Sequence, residues 1–365
     1  MSAPIRVLVV DDSALMRKLI PQLLERDRDV RVVATAVDGN FGLKKIAELR
    51  PDVVTLDLEM PGMGGMEMLK EIRKHFHVPV IVVSSHTTTG ASTTLKALGL
   101  GAFDFIAKPK CHSEACMSAI GTDLITKIKA AAQSKTTLLP FYSTATRPAL
   151  AKSQRKVKAK AESVVAIGIS TGGPNALEYL LSELPADFPA ALLIVQHMPE
   201  GFTSALANRL NEVCAIEVKE AASGDMLLAG RALVCPGNRH LRVRRMALGA
   251  VTVLTDEDRV KGHRPSADIL FRSCAEEFGN RCVGLIMTGM GEDGAHGIGH
   301  IKAMGGLTIA QHEASCVVYG MPRVAVELGN IDRIVPLEAI AITLQNHFRG
   351  QAARAGQQSL GAASV

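Results

Sequence analysis

Strand-like and helix-like segments alternate five times over residues 5–133, and this alternation constrains the fold more than any other feature. Short apolar, β-branched runs are followed by segments with apolar residues at helical spacing, such as "LMRKLIPQLLER". Parallel neighbouring strands need crossover connections, which helices provide. The pattern therefore predicts a parallel sheet covered by helices. The predicted strands are Ile5–Val10, Val30–Ala36, Asp52–Leu58, Val80–Ser84 and Phe103–Ala107.

The same alternation resumes in the second half of the chain after a break. Residues 134–161 are rich in Ser, Thr, Ala, Pro, Lys and Arg and follow neither period, which indicates a basic flexible linker. From Val164 onward, apolar runs again predict buried strands, and two alternating runs in "LRVRRMALGAVTVLTD" predict a β-hairpin. The further predicted strands of the sheet are Val164–Ile169, Leu192–Gln196, Cys282–Thr288 and Leu307–Gln311.

The length of the chain favours two domains, because 365 residues exceed the size at which a single hydrophobic core stops growing. We therefore predict an α/β protein with two doubly wound parallel-sheet domains, the second of which carries the hairpin. The expected boundaries are a first domain over residues 1–133, the linker over 134–161, a second domain over 162–350 and a tail over 351–365.

Composition argues against several classes of protein. The chain has no apolar run long enough to cross a bilayer and no signal-peptide profile, so we expect a cytoplasmic protein. Its seven cysteines show no C-x-x-C spacing, which disfavours a thiolate metal cluster or a disulfide framework. The formal net charge is +5, but much of the excess lies in "RPALAKSQRKVKAK" within the linker, so we expect no nucleic-acid partner.

Polar side chains close the first, third, fourth and fifth predicted strands at their carboxyl ends, where open α/β sheets carry their functional crevice. Asp11, Asp12 and Asp57 would bring three carboxylates together there. Two of them 4 Å apart would repel by ~4 kcal/mol at an effective dielectric of ~20. Lys108 and a divalent cation with oxygen ligands, best matched by Mg²⁺, would balance this charge. Taken singly, each residue also has an ordinary explanation as a helix cap or turn residue.

These residues, in this order, resemble the receiver domain of two-component response regulators. The matching segments are "VLVVDDSALMRKL", "DVVTLDLEMPGMGGMEML", "VPVIVVSS" and "GAFDFIAKP". The resemblance implies a flavodoxin-like fold in which a histidine kinase phosphorylates Asp57 with the help of Mg²⁺. The implied metal ligands are Asp11, Asp12, Asp57 and the backbone carbonyl of Glu59, and the implied phosphoryl-sensing residues are Ser84, Phe105 and Lys108.

A glycine-rich segment after the first strand of the second domain, "GISTGGPNAL", has three possible interpretations. A nucleotide-binding loop would need Gly-x-Gly-x-x-Gly or Gly-Lys-Ser/Thr, but Ser170 occupies the middle glycine position and the lysine is absent from the segment. The segment does match Gly-x-Ser-x-Gly, in which glycines permit a sharp turn that raises the serine above the sheet. The third interpretation is a plain glycine-rich turn.

A nucleophilic serine needs a base, and the base needs an acid that orients it. His197 ends the apolar run "ALLIVQH", and Asp293 follows the buried strand in "VGLIMTGMGEDGAHGIG", so both are expected at the same sheet edge as Ser170. Each also has an ordinary explanation, His197 as a turn residue before Pro199 and Asp293 as a helix cap. The order Ser, His, Asp differs from the Ser, acid, His order of α/β-hydrolases and argues against that family.

The second domain resembles the catalytic domain of the CheB family of chemotaxis methylesterases. The matching segments are "AIGISTGGPNAL", "IVQHMPEGFTSALANRLN", "GHRPSADILFRS" and "MTGMGEDGAHGI", in this order and after a receiver. The resemblance implies a Rossmann-like fold in which Ser170 is the nucleophile, His197 the general base and Asp293 the orienting carboxylate. It also implies that Thr171 and the backbone amide of Met290 lie near the oxyanion.

The activity implied by the resemblance is hydrolysis of glutamate γ-methyl esters on chemoreceptors and deamidation of selected receptor glutamines, under the control of receiver phosphorylation. The implied partners are the receptors as substrate and a chemotaxis histidine kinase as phosphodonor. We expect a monomer that meets the membrane only through receptors, with Mg²⁺ in the receiver and no cofactor for the esterase step. The alternative is a response regulator with a non-esterase, nucleotide-binding α/β effector domain.

Several neighbouring residues are assigned by their local pattern alone. Glu292 stands where the family usually has a different small residue. His263 and Arg264 lie in "GHRPSAD" and either line a substrate groove or have another role. Ser266 precedes the helical segment "ADILF" and is predicted to cap that helix. His240 is predicted to be a surface residue.

Overall fold

The computed structural model describes residues 3–85, 87–108, 114–133 and 159–362. The chain divides into two compact units, Met1–Phe141 and Tyr142–Val365. The predicted linker lies outside the described residues apart from residues 159–161. Among the described residues, no helix combines the length and the apolar character needed to cross a membrane.

The first unit contains, within its described residues, five strands and five helices in strict alternation. They are β1 (Ile5–Val10), α1 (Ala14–Leu24), β2 (Val30–Ala36), α2 (Gly39–Leu49), β3 (Val53–Asp57), α3 (Gly65–His75), β4 (Val80–Ser84), α4 (Thr88–Gly99), β5 (Asp104–Ala107) and α5 (Glu114–Gln133). The strands form one parallel sheet in the order β2-β1-β3-β4-β5. The predicted parallel α/β sheet is confirmed for this unit.

The strand order of this sheet places its functional edge. β1 and β3 are neighbours although β2 lies between them in the sequence, so the chain switches sides at this pair. Such a switch point opens a crevice at the carboxyl ends of the strands. Asp11 follows β1, Asp57 ends β3 and Lys108 follows β5, so all three stand at that edge.

The second unit contains nine strands and six α-helices within its described residues. They are β6 (Val164–Ile169), α6 (Gly173–Ser182), β7 (Ala191–Gln196), α7 (Phe202–Val213), β8 (Glu217–Glu220), β9 (Arg231–Val234), β10 (His240–Met246), β11 (Gly249–Thr255), α8 (Ala267–Phe278), β12 (Cys282–Ile286), α9 (Gly297–Ala303), β13 (Leu307–Gln311), α10 (Met321–Glu327), β14 (Arg333–Val335) and α11 (Leu337–Ala362). Helix α11 continues past residue 350, the predicted end of the second domain, into the segment predicted to be a tail.

Seven of these strands form one parallel sheet in the order β14-β13-β12-β6-β7-β9-β8, and β10 pairs with β11 as an antiparallel hairpin. The predicted parallel sheet and the predicted hairpin are both confirmed. β6 lies between β7, which follows it in the chain, and β12, which is added much later. The switch point of this sheet therefore falls between β6 and β12, where the segments after both strands meet.

Helix α8 packs against both the hairpin and the sheet. Ser273 Oγ accepts a hydrogen bond from the amide of Val243 in β10 at 2.9 Å and donates to its carbonyl at 3.2 Å. At the other end of the helix, Ala267 packs against β6, where a Cβ placed on Gly168 would lie 2.7 Å from the Ala267 Cβ. The first turn of α8 is therefore held beside the switch point.

Candidate active site

The turn after β6 presents Ser170 at the switch point. Ser170 is the first residue after the strand, and its amide donates to the carbonyl of Thr288 at 3.0 Å. Gly172 has a φ of 78°, a left-handed conformation that side chains disfavour, and it is the N-cap residue of α6. The chain therefore turns from strand to helix within three residues, as the Gly-x-Ser-x-Gly pattern predicts.

His197 stands beside Ser170 at the end of the neighbouring strand. Ile169 pairs with Gln196 in the register of β6 and β7, so Ser170 and His197 are the next residues of the two strands. The amide of His197 donates to the carbonyl of Ile169 at 3.1 Å, and Gln196 Nε2 donates to the carbonyl of Ser170 at 2.9 Å. The structure thus brings the serine and the histidine to one sheet edge, as the strand pattern predicts.

Asp293 is fully buried and accepts four hydrogen bonds. Its Oδ2 accepts from His197 Nε2 and from the amide of Ala267, both at 2.7 Å. Its Oδ1 accepts from the hydroxyl of Ser266 at 2.6 Å and from the amide of Asp268 at 3.4 Å. Burial alone would raise the pKa of Asp293, but these hydrogen bonds and the charge of His197 lower it to about 2. Asp293 is therefore an ionised carboxylate near neutral pH.

The ionised state of Asp293 determines how the His197 imidazole is used. An ionised carboxylate only accepts, so His197 Nε2 carries the proton of their 2.7 Å hydrogen bond. In the neutral ring Nδ1 is then an acceptor, and this atom is buried without a hydrogen-bond partner among the described residues. The Ser170 hydroxyl is therefore not bonded to Nδ1 here, a contact that in many enzymes tightens only when substrate binds.

A tight turn between Val260 and His263 carries a second imidazole to His197. The amides and carbonyls of Val260 and His263 hydrogen-bond to each other in both directions, at 3.0 and 2.9 Å. His263 stacks on His197 with ring centroids 4.1 Å apart and planes inclined by 7°. Lys261 Nζ lies 2.8 Å from Glu292 Oε1. Glu292 thereby ties this turn to the loop after β12.

Arg264 joins two other loops. Its guanidinium donates to Asn238 Oδ1 at 2.8 and 3.1 Å and to the carbonyls of Asp256 and Glu257 at 3.0 and 3.1 Å. It therefore links the loop after β9 to the segment after β11. Of the two neighbours in "GHRPSAD", only His263 is seen to contact the candidate base within the described residues.

The loop after β12 approaches Ser170 closely. A Cβ placed on Gly289 would lie 2.7 Å from the Ser170 Cβ, so only glycine fits there. Thr171 is buried, and its carbonyl accepts from Thr288 Oγ1 at 2.9 Å. The amide of Met290 has no acceptor among the described residues. Gly289 was not identified from the sequence, because its importance depends on the approach of two loops that are distant in the chain.

Two residues around Asp293 have environments different from those predicted. Ser266 is the N-cap residue of α8 by position, but its side chain makes no cap hydrogen bond. The predicted cap is wrong because the carboxylate of Asp293 accepts from the first amides of the helix and from the Ser266 hydroxyl as well. His240 is fully buried, so its predicted surface position is also wrong. The hairpin directs this first residue of β10 inward against the start of α8.

The carboxyl edge of the first unit gathers three carboxylates around Lys108. Asp11, Asp12 and Asp57 each place one oxygen within 4.8 Å of the others. Lys108 Nζ lies 2.6 Å from Asp57 Oδ2 and 3.5 Å from Asp11 Oδ2. Burial raises the pKa of Asp11, and the charge of Asp57 adds to this effect while that of Lys108 opposes it. Burial lowers the pKa of Lys108, but its hydrogen bonds to these carboxylates and their charges raise it overall.

This cluster fits a hard divalent cation, because its donors are carboxylate oxygens of the kind that Mg²⁺ prefers. Asp11 Oδ2 is buried and, apart from the 3.5 Å ion pair with Lys108, has no hydrogen-bond partner among the described residues. The amide of Glu59 donates to Asp57 Oδ1 at 3.1 Å, which holds the Glu59 backbone next to the cluster. A cation would satisfy an oxygen that is otherwise costly to bury.

Two of the predicted phosphoryl-sensing residues, Ser84 and Lys108, lie at the same end of the sheet, whereas Phe105 lies within β5. Ser84 Oγ donates to the carbonyl of Gly90 at 3.3 Å and accepts from Thr94 in α4, so it is turned toward that helix. Phe105 is buried, and its carbonyl accepts from Lys127 Nζ at 2.6 Å. Lys108, the third of these residues, pairs with Asp57.

The two edge sites define a class of protein, a response regulator whose α/β effector carries a serine, a histidine and an aspartate at one switch point. The family model described as "Response regulator receiver domain" matches residues 7–120, and the one described as "CheB methylesterase" matches residues 165–344. The chain belongs to the CheB methylesterase family, with a receiver domain ahead of the catalytic domain. This assignment does not favour the alternative of a nucleotide-binding effector.

The chain resembles its relatives along nearly their whole length. It is 61% identical over 345 residues to protein-glutamate methylesterase/protein-glutamine glutaminase 2 of Koribacter versatilis (strain Ellin345), covering 93% of this chain and 95% of that protein. It is 47% identical over 348 residues to protein-glutamate methylesterase/protein-glutamine glutaminase of Symbiobacterium thermophilum. That match covers 93% of this chain and 95% of the relative. A crystal structure of the Thermotoga maritima CheB methylesterase catalytic domain is 37% identical, with a TM-score of 0.49, over 50% of this chain and 96% of that one.

Proposed function

We propose that this protein demethylates glutamate γ-methyl esters and deamidates selected glutamines on chemoreceptors, using Ser170, His197 and Asp293. Its relatives are named protein-glutamate methylesterase/protein-glutamine glutaminase. The assignment of these catalytic roles rests on the contacts of the two nitrogens of the His197 imidazole. Its Nε2 is bound to Asp293 at 2.7 Å, and its buried Nδ1 has no hydrogen-bond partner among the described residues.

Ser170 is the nucleophile of the proposed reaction. As its Oγ forms a bond to the γ-carbonyl carbon, the hydroxyl proton passes to His197 Nδ1. The two ring nitrogens thus exchange the roles that they have in serine proteases, in which Nε2 faces the serine and Nδ1 faces the aspartate. The tetrahedral intermediate then breaks its bond to the methoxy oxygen or the amide nitrogen, and His197 returns the proton to release methanol or ammonia. Water, deprotonated by the same nitrogen, hydrolyses the acyl-enzyme to glutamate and free Ser170.

The other residues of the site stabilise charge during this reaction. Asp293, with its pKa held near 2, stays ionised and stabilises the imidazolium that forms on His197. The amide of Met290 and Thr171, the residue directly after the nucleophile, stabilise the oxyanion of the intermediate. Support for Met290 comes from its amide, which has no acceptor among the described residues.

Phosphorylation of Asp57 by a chemotaxis histidine kinase regulates this activity in our proposal. When bound, Mg²⁺ neutralises charge on the transferring phosphoryl group. The proposed metal ligands are Asp11, Asp12, Asp57 and the carbonyl of Glu59, and the proposed sensing residues are Ser84, Phe105 and Lys108. Ser84 Oγ is bound to the carbonyl of Gly90 at 3.3 Å and would have to leave it to reach a phosphoryl group on Asp57. Sensing would therefore change the contacts of α4.

We place the reaction in the cytoplasm, with the protein acting as a monomer that meets the membrane only through receptors. The relatives are named for action on protein glutamate and protein glutamine, which supports a protein as the substrate. No nucleic acid takes part in this proposal.

Methanol release from methylated receptor membranes tests the proposed chemistry. We expect Ser170→Ala to lose about 10⁴-fold or more in kcat, because the nucleophile is removed. Ser182→Ala is the matched control, since the Ser182 hydroxyl donates to the carbonyl of Tyr179 at 2.8 Å within α6 and we expect it to keep its activity. Methanol release by Ser170→Ala at the rate of Ser182→Ala would show that the serine mechanism is wrong.

The regulatory part has its own test in the same assay. We expect a small-molecule phosphodonor to stimulate the wild type and to have no effect on Asp57→Asn, which lacks the acceptor carboxylate. Equal stimulation of both proteins would contradict the assignment of Asp57.

A further inference from the structure

The carboxylate of Asp293 is held by residues that come from the start of α8. The amides of Ala267 and Asp268 donate to it at 2.7 and 3.4 Å, as they would to an N-cap side chain. Ser266 donates its hydroxyl to the same carboxylate at 2.6 Å. Since Ser266 and Asp293 are both fully buried, small movements of Ser266 are transmitted to the carboxylate.

Ser266 is held from its other side by His240. The amide of Ser266 donates to His240 Nδ1 at 3.2 Å, and His240 Nε2 lies 3.1 Å from the carbonyl of Asp258. A backbone amide only donates and a carbonyl only accepts, so Nδ1 must be unprotonated and Nε2 must carry the proton. Both contacts therefore exist together only when His240 is neutral and in its Nε2–H form.

We propose that His240 is a positioning residue for the catalytic carboxylate, acting through Ser266 on Asp293 and requiring its neutral Nε2–H tautomer. The inference rests on the proposed esterase function and deepens it. Four hydrogen bonds connect the carbonyl of Asp258, His240, Ser266, Asp293 and His197 in one continuous chain. In each of these hydrogen bonds, the acceptor atom determines which partner carries the proton.

Protonation of His240 would break the chain at one defined point. Nδ1–H would face the N–H of Ser266 across 3.2 Å, and the two donors would separate. Burial lowers the pKa of His240 below its ordinary value of 6.5, and the charge of Arg264 acts in the same direction. The carbonyl of Asp258 and the charges of Glu257 and Asp293 oppose this shift.

The sign of the linkage follows from this lowered pKa. Above pH 6.5 the neutral form is present in both the folded and the unfolded chain, and the contribution of His240 to stability is complete. As the pH falls from 6.5 through the folded-state pKa, that contribution is lost. The proposal therefore makes protonation of His240 contribute to the acid limb of the activity profile.

The experiment measures kcat, KM and the pH profile of methanol release for His240→Leu, His240→Asn and Ser273→Ala in the full-length chain. We expect His240→Leu to lower kcat by about tenfold to a hundredfold with KM changed less than about twofold, because Asp293 is displaced while substrate contacts remain. His240→Asn keeps an acceptor near the Nδ1 position but cannot be protonated in this range. We expect it to recover most of kcat and to have a shallower acid limb than the wild type.

Ser273→Ala controls for a general loss of stability. Ser273 lies on the same helix and hydrogen-bonds to Val243 at 2.9 and 3.2 Å, away from Asp293. We expect it to unfold at lower urea concentration with kcat unchanged. If His240→Leu and His240→Asn behave like Ser273→Ala, with kcat and the acid limb unaltered, His240 is only structural and the proposal is overturned.

A measurement on the wild type keeps the proposal testable if both His240 variants fail to fold. Nitrogen NMR of protein labelled in its histidines reports the tautomer of each ring. We expect the Nε2–H form of His240 from neutral pH down to the pH at which activity falls, whereas an Nδ1–H form or protonation above pH 6.5 would overturn the proposal. An active Ser170→Ala would instead refute the esterase mechanism itself, so the two failures are distinguishable.

Discussion

Each unit carries a buried aspartate at the carboxyl edge of its sheet, and the two differ in how their charge is balanced. Asp293 accepts four hydrogen bonds, which lower its pKa to about 2. Asp57 instead shares its edge with Asp11 and Asp12 around the ammonium of Lys108, which lies 2.6 Å from Asp57 Oδ2. The carboxylate of Asp293 is thus fully hydrogen-bonded, whereas the three carboxylates of the Asp57 cluster carry more negative charge than Lys108 balances. An aspartate at the carboxyl edge of a sheet is thus fully hydrogen-bonded in one unit, whereas in the other we propose that it receives a cation and a phosphoryl group.

The largest expected effect is on activity at the Asp293 site. Asp293→Asn replaces one carboxylate oxygen, which accepts from two donors, by an NH₂ group, and it removes the negative charge that keeps the proton of His197 on Nε2. We expect kcat for methanol release to fall by about 10⁴-fold, as a wrong tautomer of the base requires. Glu292→Gln, at the exposed neighbouring position, is the control. A loss of less than tenfold in Asp293→Asn would mean that His197 does not depend on this carboxylate.

The next effect concerns the pH dependence of stability. Since the folded-state pKa of Asp293 is lowered from 3.8 to about 2, its contribution to stability is present above pH 3.8 and is lost as the pH falls toward 2. The shift corresponds to about 2 kcal/mol. Urea unfolding of wild type and Asp293→Asn should therefore differ by about this amount at pH 6 and converge near pH 2. A difference in the free energy of unfolding that stays constant over this pH range would contradict the lowered pKa of Asp293.

The same substitution should have the opposite effect in the other unit. Asp11→Asn removes one of the crowded carboxylates and leaves the pair of Asp57 and Lys108 at 2.6 Å. In the presence of a chelator, we expect the free energy of unfolding to rise by about 1 kcal/mol, because a buried charge with an unsatisfied oxygen is removed. Asp12→Asn, at the exposed member of the cluster, should change stability less. A less stable Asp11→Asn protein would show that this edge is already balanced without a cation.

The smallest effect is expected at Glu292. Its ion pair with Lys261, at 2.8 Å between Nζ and Oε1, lies on the surface and ties down the turn that carries His263. Glu292→Gln should change kcat by less than about twofold, because exposed ion pairs contribute little. Steady-state methanol release checks this. A tenfold loss would show that the stacking of His263 on His197 depends on this ion pair.

The placement of both edge sites could be predicted from the sequence, because it depends on strand order and strand ends. Apolar runs located the ends of β1, β6 and β7, and that of β3 to within one residue, and parallel connections require the strand ends of each sheet to meet at one edge. Ser170 and His197 could therefore be grouped at the edge of one sheet, and Asp57 with Asp11 at the edge of the other, from the sequence alone. The direction of a side chain within such a group could not be predicted in the same way.

Ser266 and His240 show why that part was missed. The pattern before "ADILF" correctly marks a helix start, but whether the Ser266 hydroxyl caps its own helix depends on Asp293, which lies 27 residues away. A histidine at the edge of a strand with several arginines is typical of a surface, yet the packing of the hairpin on α8 buries it completely. Gly289 is similar, since only the approach of two loops shows that a methyl group would strike Ser170.

The carboxylate of Asp293 accepts from His197, the proposed base, and also from the first amides of α8, so this one side chain has two roles. Any substitution at Asp293 made to silence the enzyme would also loosen a helix, and an inactive protein obtained that way would be a poor stand-in for the intact one in binding studies. Ser170→Ala leaves the hydrogen bonds between Asp293 and α8 in place and is therefore the better way to prepare an inactive but folded protein for receptor complexes.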